Sequence, residues 1–301
     1  MGPVSTRIRS LIVLPLLFVL TACDGTSPVI PIDDPVGPID FEPAWSPDSQ
    51  SVLYTHVPQT SEEMALGHPQ VWRLDLASGV REFVTAGRSA AWSPDGDSIV
   101  VVDGDRLCTL DLATKTKRLI GPEAFSIQPA WSSSGWIAYS TNYGDPRGSS
   151  TIALVRPDGS DWRDISQHGT GEWKDPSWSP DGEWLVHFRY VGVGGSEVFV
   201  MDSAGARSRR LTNDSSDDRD SAWSPDGQWI LWATYGTGGG LYLMRPDGTE
   251  RRFLLRAGFD PTWSPDGSRI AFSYWAPDGK PATIWSIKPD GSELTRLTSP
   301  D

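Results

Sequence analysis

The sequence predicts an all-β fold, a six-bladed β-propeller of four-stranded antiparallel blades. Three observations carry that prediction. The tetrad Trp-Ser-Pro-Asp occurs at Trp45, Trp92, Trp178, Trp223 and Trp263, with a decayed copy, Trp-Ser-Ser-Ser-Gly, at Trp131. Copies recur at a period of roughly 40–50 residues, the length of one propeller blade. The six copies fill residues 41–301 and leave no room for a second domain.

The last copy shows how one blade is written. Pro261-Thr262-Trp263 is the innermost strand and Ser264-Pro265-Asp266-Gly267 a tight turn. Pro presets φ at the first corner, Asp bonds back to the backbone, and Gly takes the left-handed position. Arg269 to Tyr274 alternates apolar and polar residues, the period of a half-buried strand. A loop through Pro281 leads to a third strand, Thr283 to Ile287. Lys288-Pro289-Asp290-Gly291 is a second turn of the same chemistry, and Leu294 to Thr298 is the outermost strand. That second turn recurs at Arg156 to Gly159 and Arg245 to Gly248. Fourth strands carry basic residues (Lys117-Arg118, Arg209-Arg210, Arg251-Arg252, Arg296), which discourage edge-to-edge pairing.

The repeated Trp is expected to fill the gap between neighbouring blades, because one indole buries up to about 250 Å². The repeated Asp is expected to make a turn and not a row of catalytic acids. No extra strand that would interlock the ends of the ring is evident; Val29–Ile39 holds the only candidate, and its prolines oppose pairing.

With their Leu-Thr endings, such as Arg210-Leu211-Thr212, these Trp-Ser-Pro-Asp-Gly repeats resemble the TolB-type propeller repeat. That repeat also builds the propellers of dipeptidyl peptidase IV-like enzymes. The resemblance covers residues 41–301 and implies the fold; one scaffold hosts many functions, so it implies little about activity. Neither the separate N-terminal domain that accompanies the TolB propeller nor the hydrolase domain of the peptidases is evident, and no Gly-x-Ser-x-Gly elbow occurs.

Residues 1–22 read as a signal peptide: Arg7 and Arg9 precede an apolar run, Leu11 to Ala22, too short to span a bilayer. Leu20-Thr21-Ala22-Cys23 looks like a bacterial lipobox, in which Cys23 is lipidated and becomes the new N-terminus. Acyl chains would then hold a soluble domain at a membrane surface of the cell envelope, facing the periplasm or the exterior. Residues 23–40, rich in Pro, Asp and Gly, read as an extended tether.

The formal net charge of −13 argues against nucleic acid or an anionic membrane surface as partner. Cys108, in an apolar run, is expected in the core. No cofactor is expected. His56 and His68, on the long loop from Thr55 to Gln70, lack a third metal ligand at a telling spacing. His168 and His187 have no evident partner. The segment from Asn213 to Asp220 reads as a solvated acidic connection and resembles a calcium loop only loosely.

Three residues before each repeat Trp stand Glu42, Ser89, Gln128, Asp175, Asp220 and Asp260. In a propeller these ring one mouth of the central channel, where clustered carboxylates attract cations or a Lys/Arg-bearing peptide. The alternative is that each acid caps a local backbone amide. Tyr143, Tyr190, Tyr235, Tyr274 and Trp275 are expected on the rim of the same face, as contact aromatics or as strand-end packing. The expectation is a monomeric, lipid-anchored, non-catalytic platform that binds an envelope protein, such as an extended basic segment, through the channel mouth. The alternative is a carbohydrate-active enzyme, a polysaccharide lyase or glycosidase, working through the mouth carboxylates.

Overall fold

A computed structural model describes residues 38–58, 69–124, 126–142, 149–166, 172–192, 195–236, 238–275 and 281–299 of the 301. Cys23, His68, Tyr143 and His168 lie outside the described residues.

Six four-stranded antiparallel sheets form the ring, each from consecutive strands. Blade one is β1 (Ile39–Trp45), β2 (Ser51–Val57), β3 (Gln70–Asp75) and β4 (Arg81–Ala86). Blade two is β5 (Arg88–Trp92), β6 (Ser98–Asp103), β7 (Arg106–Asp111) and β8 (Lys117–Leu119). Blade three is β9 (Ser126–Trp131), β10 (Ile137–Thr141), β11 (Thr151–Val155) and β12 (Arg163–Asp164). Blade four is β13 (Trp173–Trp178), β14 (Trp184–Tyr190), β15 (Ser196–Asp202) and β16 (Ser208–Arg210). Blade five is β17 (Asp217–Trp223), β18 (Ile230–Tyr235), β19 (Gly240–Met244) and β20 (Arg252–Arg256). Blade six is β21 (Phe259–Trp263), β22 (Ile270–Tyr274), β23 (Thr283–Ile287) and β24 (Thr295–Arg296).

The repeat residues act locally as their chemistry requires. Ser264 Oγ donates to Asp266 Oδ1 at 2.6 Å, and the Arg269 amide donates to Ser264 Oγ at 2.9 Å. The same clasp recurs at Ser46, Ser93, Ser179 and Ser224. The serine hydroxyl, followed by a backbone amide two residues on, holds the Asp48, Asp95, Asp181 and Asp266 carboxyls below the usual range. These acids are turn-makers. In blade one Ser49 takes the left-handed position at φ 59° that Gly fills elsewhere.

Each repeat Trp packs on the preceding blade. Trp178 joins Ala138, Ile152 and Leu154 of blade three, and Trp263 joins Ala222 and Leu231 of blade five. The Trp92 and Trp178 indoles donate to the Ala44 and Ala130 carbonyls one repeat back in sequence, 3.2 and 3.1 Å away. A second repeated device sits on the fourth strand's exit. Thr212 Oγ1 and Thr298 Oγ1 accept the amides of Val198 and Ile284, each at 2.9 Å, which ties the Leu-Thr ending to the third strand.

The ring closes by the same side-on packing. Trp45, Val52, Tyr54 and Leu74 of blade one share a core with Ala271 and Ile284 of blade six. The Asp40 amide donates to the Ala282 carbonyl at 2.9 Å, and the Arg81 guanidinium donates to the Ser299 carbonyl at 3.2 Å. No sheet among the described residues mixes strands from the two ends. Cys108 is buried at 3% exposure in the core between blades one and two.

Two expectations are corrected. His56 lies on β2 and not in the following loop; it is buried with Nδ1 2.7 Å from Asp40 Oδ1 and its ring tilted over Trp72. The acidic connection ends earlier than its composition suggests: Asp217 already opens β17, Asp218 is 2% exposed, and Asp217 pairs with Arg219. In both places inter-strand pairing overrides local polarity.

Candidate functional site

All six residues three before the repeat Trp adopt left-handed backbone: Glu42 (φ 54°), Ser89 (50°), Gln128 (52°), Asp175 (57°), Asp220 (49°) and Asp260 (48°). Each sits where the innermost strand slips register against its neighbour, as between Phe41 and Ala44 or between Lys174 and Ser177. One residue too many on the inner strand forces a bulge, and the left-handed residue absorbs it at about 1–3 kcal/mol. The bulge turns six side chains toward one another around the axis.

They line a channel of about 570 Å³. The left-handed residues mark one end; Pro47, Pro94 and Pro265 of the Trp-Ser-Pro-Asp turns mark the other, with indoles between. No Lys or Arg lines it among the described residues. The loops between second and third strands open at the acid end, because Ile39 pairs with Val57, Asp217 with Tyr235 and Phe259 with Ser273.

The carboxyls partly cap amides, but across blades and not locally. Glu42 accepts from the Ser89 amide (3.0 Å), Ser89 Oγ (2.8 Å) and Thr55 Oγ1 (2.8 Å). Asp220 Oδ2 accepts from the Asp260 amide at 3.3 Å and from the Tyr235 hydroxyl. Asp260 Oδ2 accepts from Ser273 Oγ at 3.3 Å, and Ser273 Oγ accepts from the Glu42 amide at 3.1 Å. The Asp175 amide donates to Ser140 Oγ at 3.0 Å.

The electrostatics follow from enclosure. Asp220 is 6% exposed; the other three acids are half-buried and line the channel. Loss of hydration raises Glu42 and Asp220, although Ser89, Thr55 and Tyr235 donate to them. Asp175 and Asp260 are raised well above the usual carboxyl range, first by burial and then by the neighbouring carboxyls. The Tyr235 hydroxyl is also pushed well up, by burial and then by the Asp220 charge, and stays protonated as a donor. Four clustered acids in one enclosed channel cannot all ionise cheaply.

Of the aromatics expected on the rim, Tyr190 is 50% and Trp275 36% exposed. Tyr274 is half-buried, edge-on to Trp285, and Tyr235 points into the acid ring. Sequence reasoning missed the hydroxyls of Thr55, Ser140, Ser273 and Tyr235 as partners of the ring; each belongs to a second strand, and no local signal ties it to an inner-strand acid. His187 is fully buried between Trp173 and Phe199, and burial lowers its pKa to about 4. Among the described residues no three His, Cys, Asp or Glu converge closely enough to hold a metal.

Comparison with known proteins returns no curated protein matching the chain. Among solved structures it is similar to a putative TolB from Agrobacterium tumefaciens (TM-score 0.67, 21% identity, covering 75% of this chain and 86% of that one). TolB from Acinetobacter baumannii matches with TM-score 0.66 and 18% identity over 89% of this chain and 65% of that one. An oligogalacturonate lyase from Vibrio parahaemolyticus matches with TM-score 0.61 and 14% identity over 90% of this chain and 80% of that one. At these identities the likeness carries the fold alone. The family described as the TolB beta propeller domain matches residues 35–182 and 163–299, nearly the whole ring. The repeats, the six blades and this matched span agree, and the chain belongs to the TolB beta propeller domain family.

Proposed function

We propose that the propeller is a non-catalytic protein-binding platform whose acid mouth takes an extended basic segment of an envelope protein. The observation that supports this reading is the convergence of Glu42, Asp175, Asp220 and Asp260 on one channel that no Lys or Arg side chain lines among the described residues. A low-dielectric mouth of one sign concentrates cationic partners. Exposed Tyr190 and Trp275 would add anchoring contacts at the rim. In this reading residues 1–22 are a removed leader, Cys23 carries the lipid, residues 23–40 form the tether, and the propeller acts as a monomer on an envelope membrane. Acylation of Cys23 is checked by the mass of the mature N-terminal peptide.

The binding test compares the full chain with a variant carrying Glu42→Gln, Asp175→Asn, Asp220→Asn and Asp260→Asn. Envelope extract is passed over both, immobilised, at low and high salt. A basic protein held by the native chain, released by salt and lost by the folded variant supports the platform. Equal retention by both proteins rejects the mouth as the site.

A second reading is a polysaccharide lyase or glycosidase. It is favoured by the Asp175 and Asp260 carboxyls, which burial and neighbouring charges raise above their ordinary range, and by the likeness to an oligogalacturonate lyase. Unsaturated product from oligogalacturonides, formed by the full chain and lost in Asp260→Asn, would replace the platform with this reading.

A further inference from the structure

The channel ring does not satisfy itself evenly. From blade five through six and one to blade two its acceptors are matched: Asp220 by Asp260 and Tyr235, Asp260 by Ser273, Glu42 by Ser89 and Thr55. The opposite arc, blades three to five, is left open. No described residue donates to the Asp175 carboxyl, whose perturbation comes from burial and from the Asp220 and Glu42 charges alone. One blade back, Gln128 Oε1 is withdrawn from water with no donor. One blade on, Ser221 lines the same cavity at 3% exposure, and its hydroxyl is unpartnered too. The bulge does not require that hydroxyl, since Pro43, Pro129, Pro176 and Pro261 hold the same position in four other blades.

We infer that this arc is a seat for a primary ammonium group, with Asp175 as its counter-ion and Gln128 and Ser221 as flanking acceptors. It rests on the platform reading: the ammonium is a lysine side chain, or the amino terminus, of the segment that enters the channel. An ammonium carries three N–H donors and no acceptor, and the arc offers three groups with acceptor capacity unmet by the protein. The Ser221 hydroxyl proton can rotate away and leave a lone pair for an incoming donor. A guanidinium is a rigid planar fork suited to a bidentate carboxylate, whereas these acceptors are distributed over three successive blades. A metal would need at least three converging ligands, which the described acids and histidines do not supply. A cation beside Asp175 also offsets the repulsion among the buried carboxyls.

The experiment separates hydrogen bonding from charge. Fluorescence anisotropy of the full chain is followed with a labelled peptide of four lysines spaced by Gly-Ser, and with the same peptide carrying trimethyllysine. Both probes have acetylated amino termini and equal charge, but trimethylation removes every ammonium N–H donor. The expected result is at least about tenfold weaker binding of the trimethylated peptide, the scale of one lost charge-assisted hydrogen bond. Asp175→Asn should bring lysine-peptide binding down to the trimethyl level. Glu42→Gln, whose carboxyl is already engaged by Ser89 and Thr55, should weaken both peptides by the same factor. Equal affinity of the native chain for both peptides overturns the seat and leaves the platform standing. No binding of either peptide overturns both. The peptide comparison on the native chain decides the matter even if a variant fails to fold.

Discussion

Replacing Asp175 by Asn should make the protein more stable at neutral pH, although it removes a residue from the proposed binding site. In the native ring the Asp175 carboxyl has no donor among the described residues, and Asp220 and Glu42 repel its charge. Folding therefore raises its pKa. The folded state then binds more protons than the unfolded chain, and stability falls as pH rises from the unfolded value of about 3.9 through the folded one. An amide of the same shape carries no such penalty. Leaving a buried group unmatched costs about 1–3 kcal/mol and more when it is charged; the amide stays polar, so the expected gain is the charge-specific part, about 1 kcal/mol. For a domain of this size each kcal/mol moves Tm by about 2–4 °C. Thermal unfolding of both proteins at pH 8 should show the variant melting a few degrees higher. Near pH 4 the gap should be largely closed, because the carboxyl is then protonated in the folded state and about half protonated in the unfolded chain. Identical melting at pH 8, or a gap that persists undiminished at pH 4, refutes the claim that the charge is unmatched. A gain in stability with a loss of binding is the usual signature of a residue kept for function.

Other consequences can be measured on the same purified chain. His187 is held neutral with a pKa of about 4, so stability should fall by about 3 kcal/mol as pH drops from 6.5 to 4, the range in which only the unfolded chain takes the proton. His187→Phe, which preserves the stack between Trp173 and Phe199, should abolish that part of the urea-midpoint shift. Gly205→Ala should destabilise by about 3 kcal/mol or more in urea unfolding, because a Cβ there would lie 1.9 Å from the Ile165 carbonyl oxygen at φ +72°. Trp178→Ala should cost about 3–5 kcal/mol by emptying the space between blades three and four.

The period and turn chemistry made most of the ring legible, because both depend on residues within one blade. The clasp of Ser264, Asp266 and Arg269 spans six positions, and its signal survives in a single repeat. The third strand of blade six, Thr283–Ile287, could be read directly from its composition. The ring positions were also legible, as a column of residues three before Trp. Their left-handed backbone was not: Glu and Gln have no local preference for it, and the bulge follows from fitting seven residues of β1 against β2. Partners such as Ser273 for Glu42 escape any local reading because they join the first blade to the last. Tyr235 looked like a rim aromatic for a different reason: the pairing of β17 with β18 inside blade five, together with the bulge at Asp220, brings its hydroxyl to that carboxyl. The unmatched arc at Asp175 emerges only once the neighbouring blades' donors have been assigned.

Because every sheet is built from consecutive strands, the seam between blades six and one has the same architecture as the other five. The ring thus has no privileged starting point. A circular permutant that opens the chain between blades three and four, and bridges Ser299 to Asp40, would keep all six sheets whole. A repeat inserted at any seam would likewise add a complete wedge and widen the channel without cutting a β-ladder. Pore diameter in such a protein is therefore something duplication can change in one step, while the inner-strand bulge carries the lining chemistry along with each new wedge.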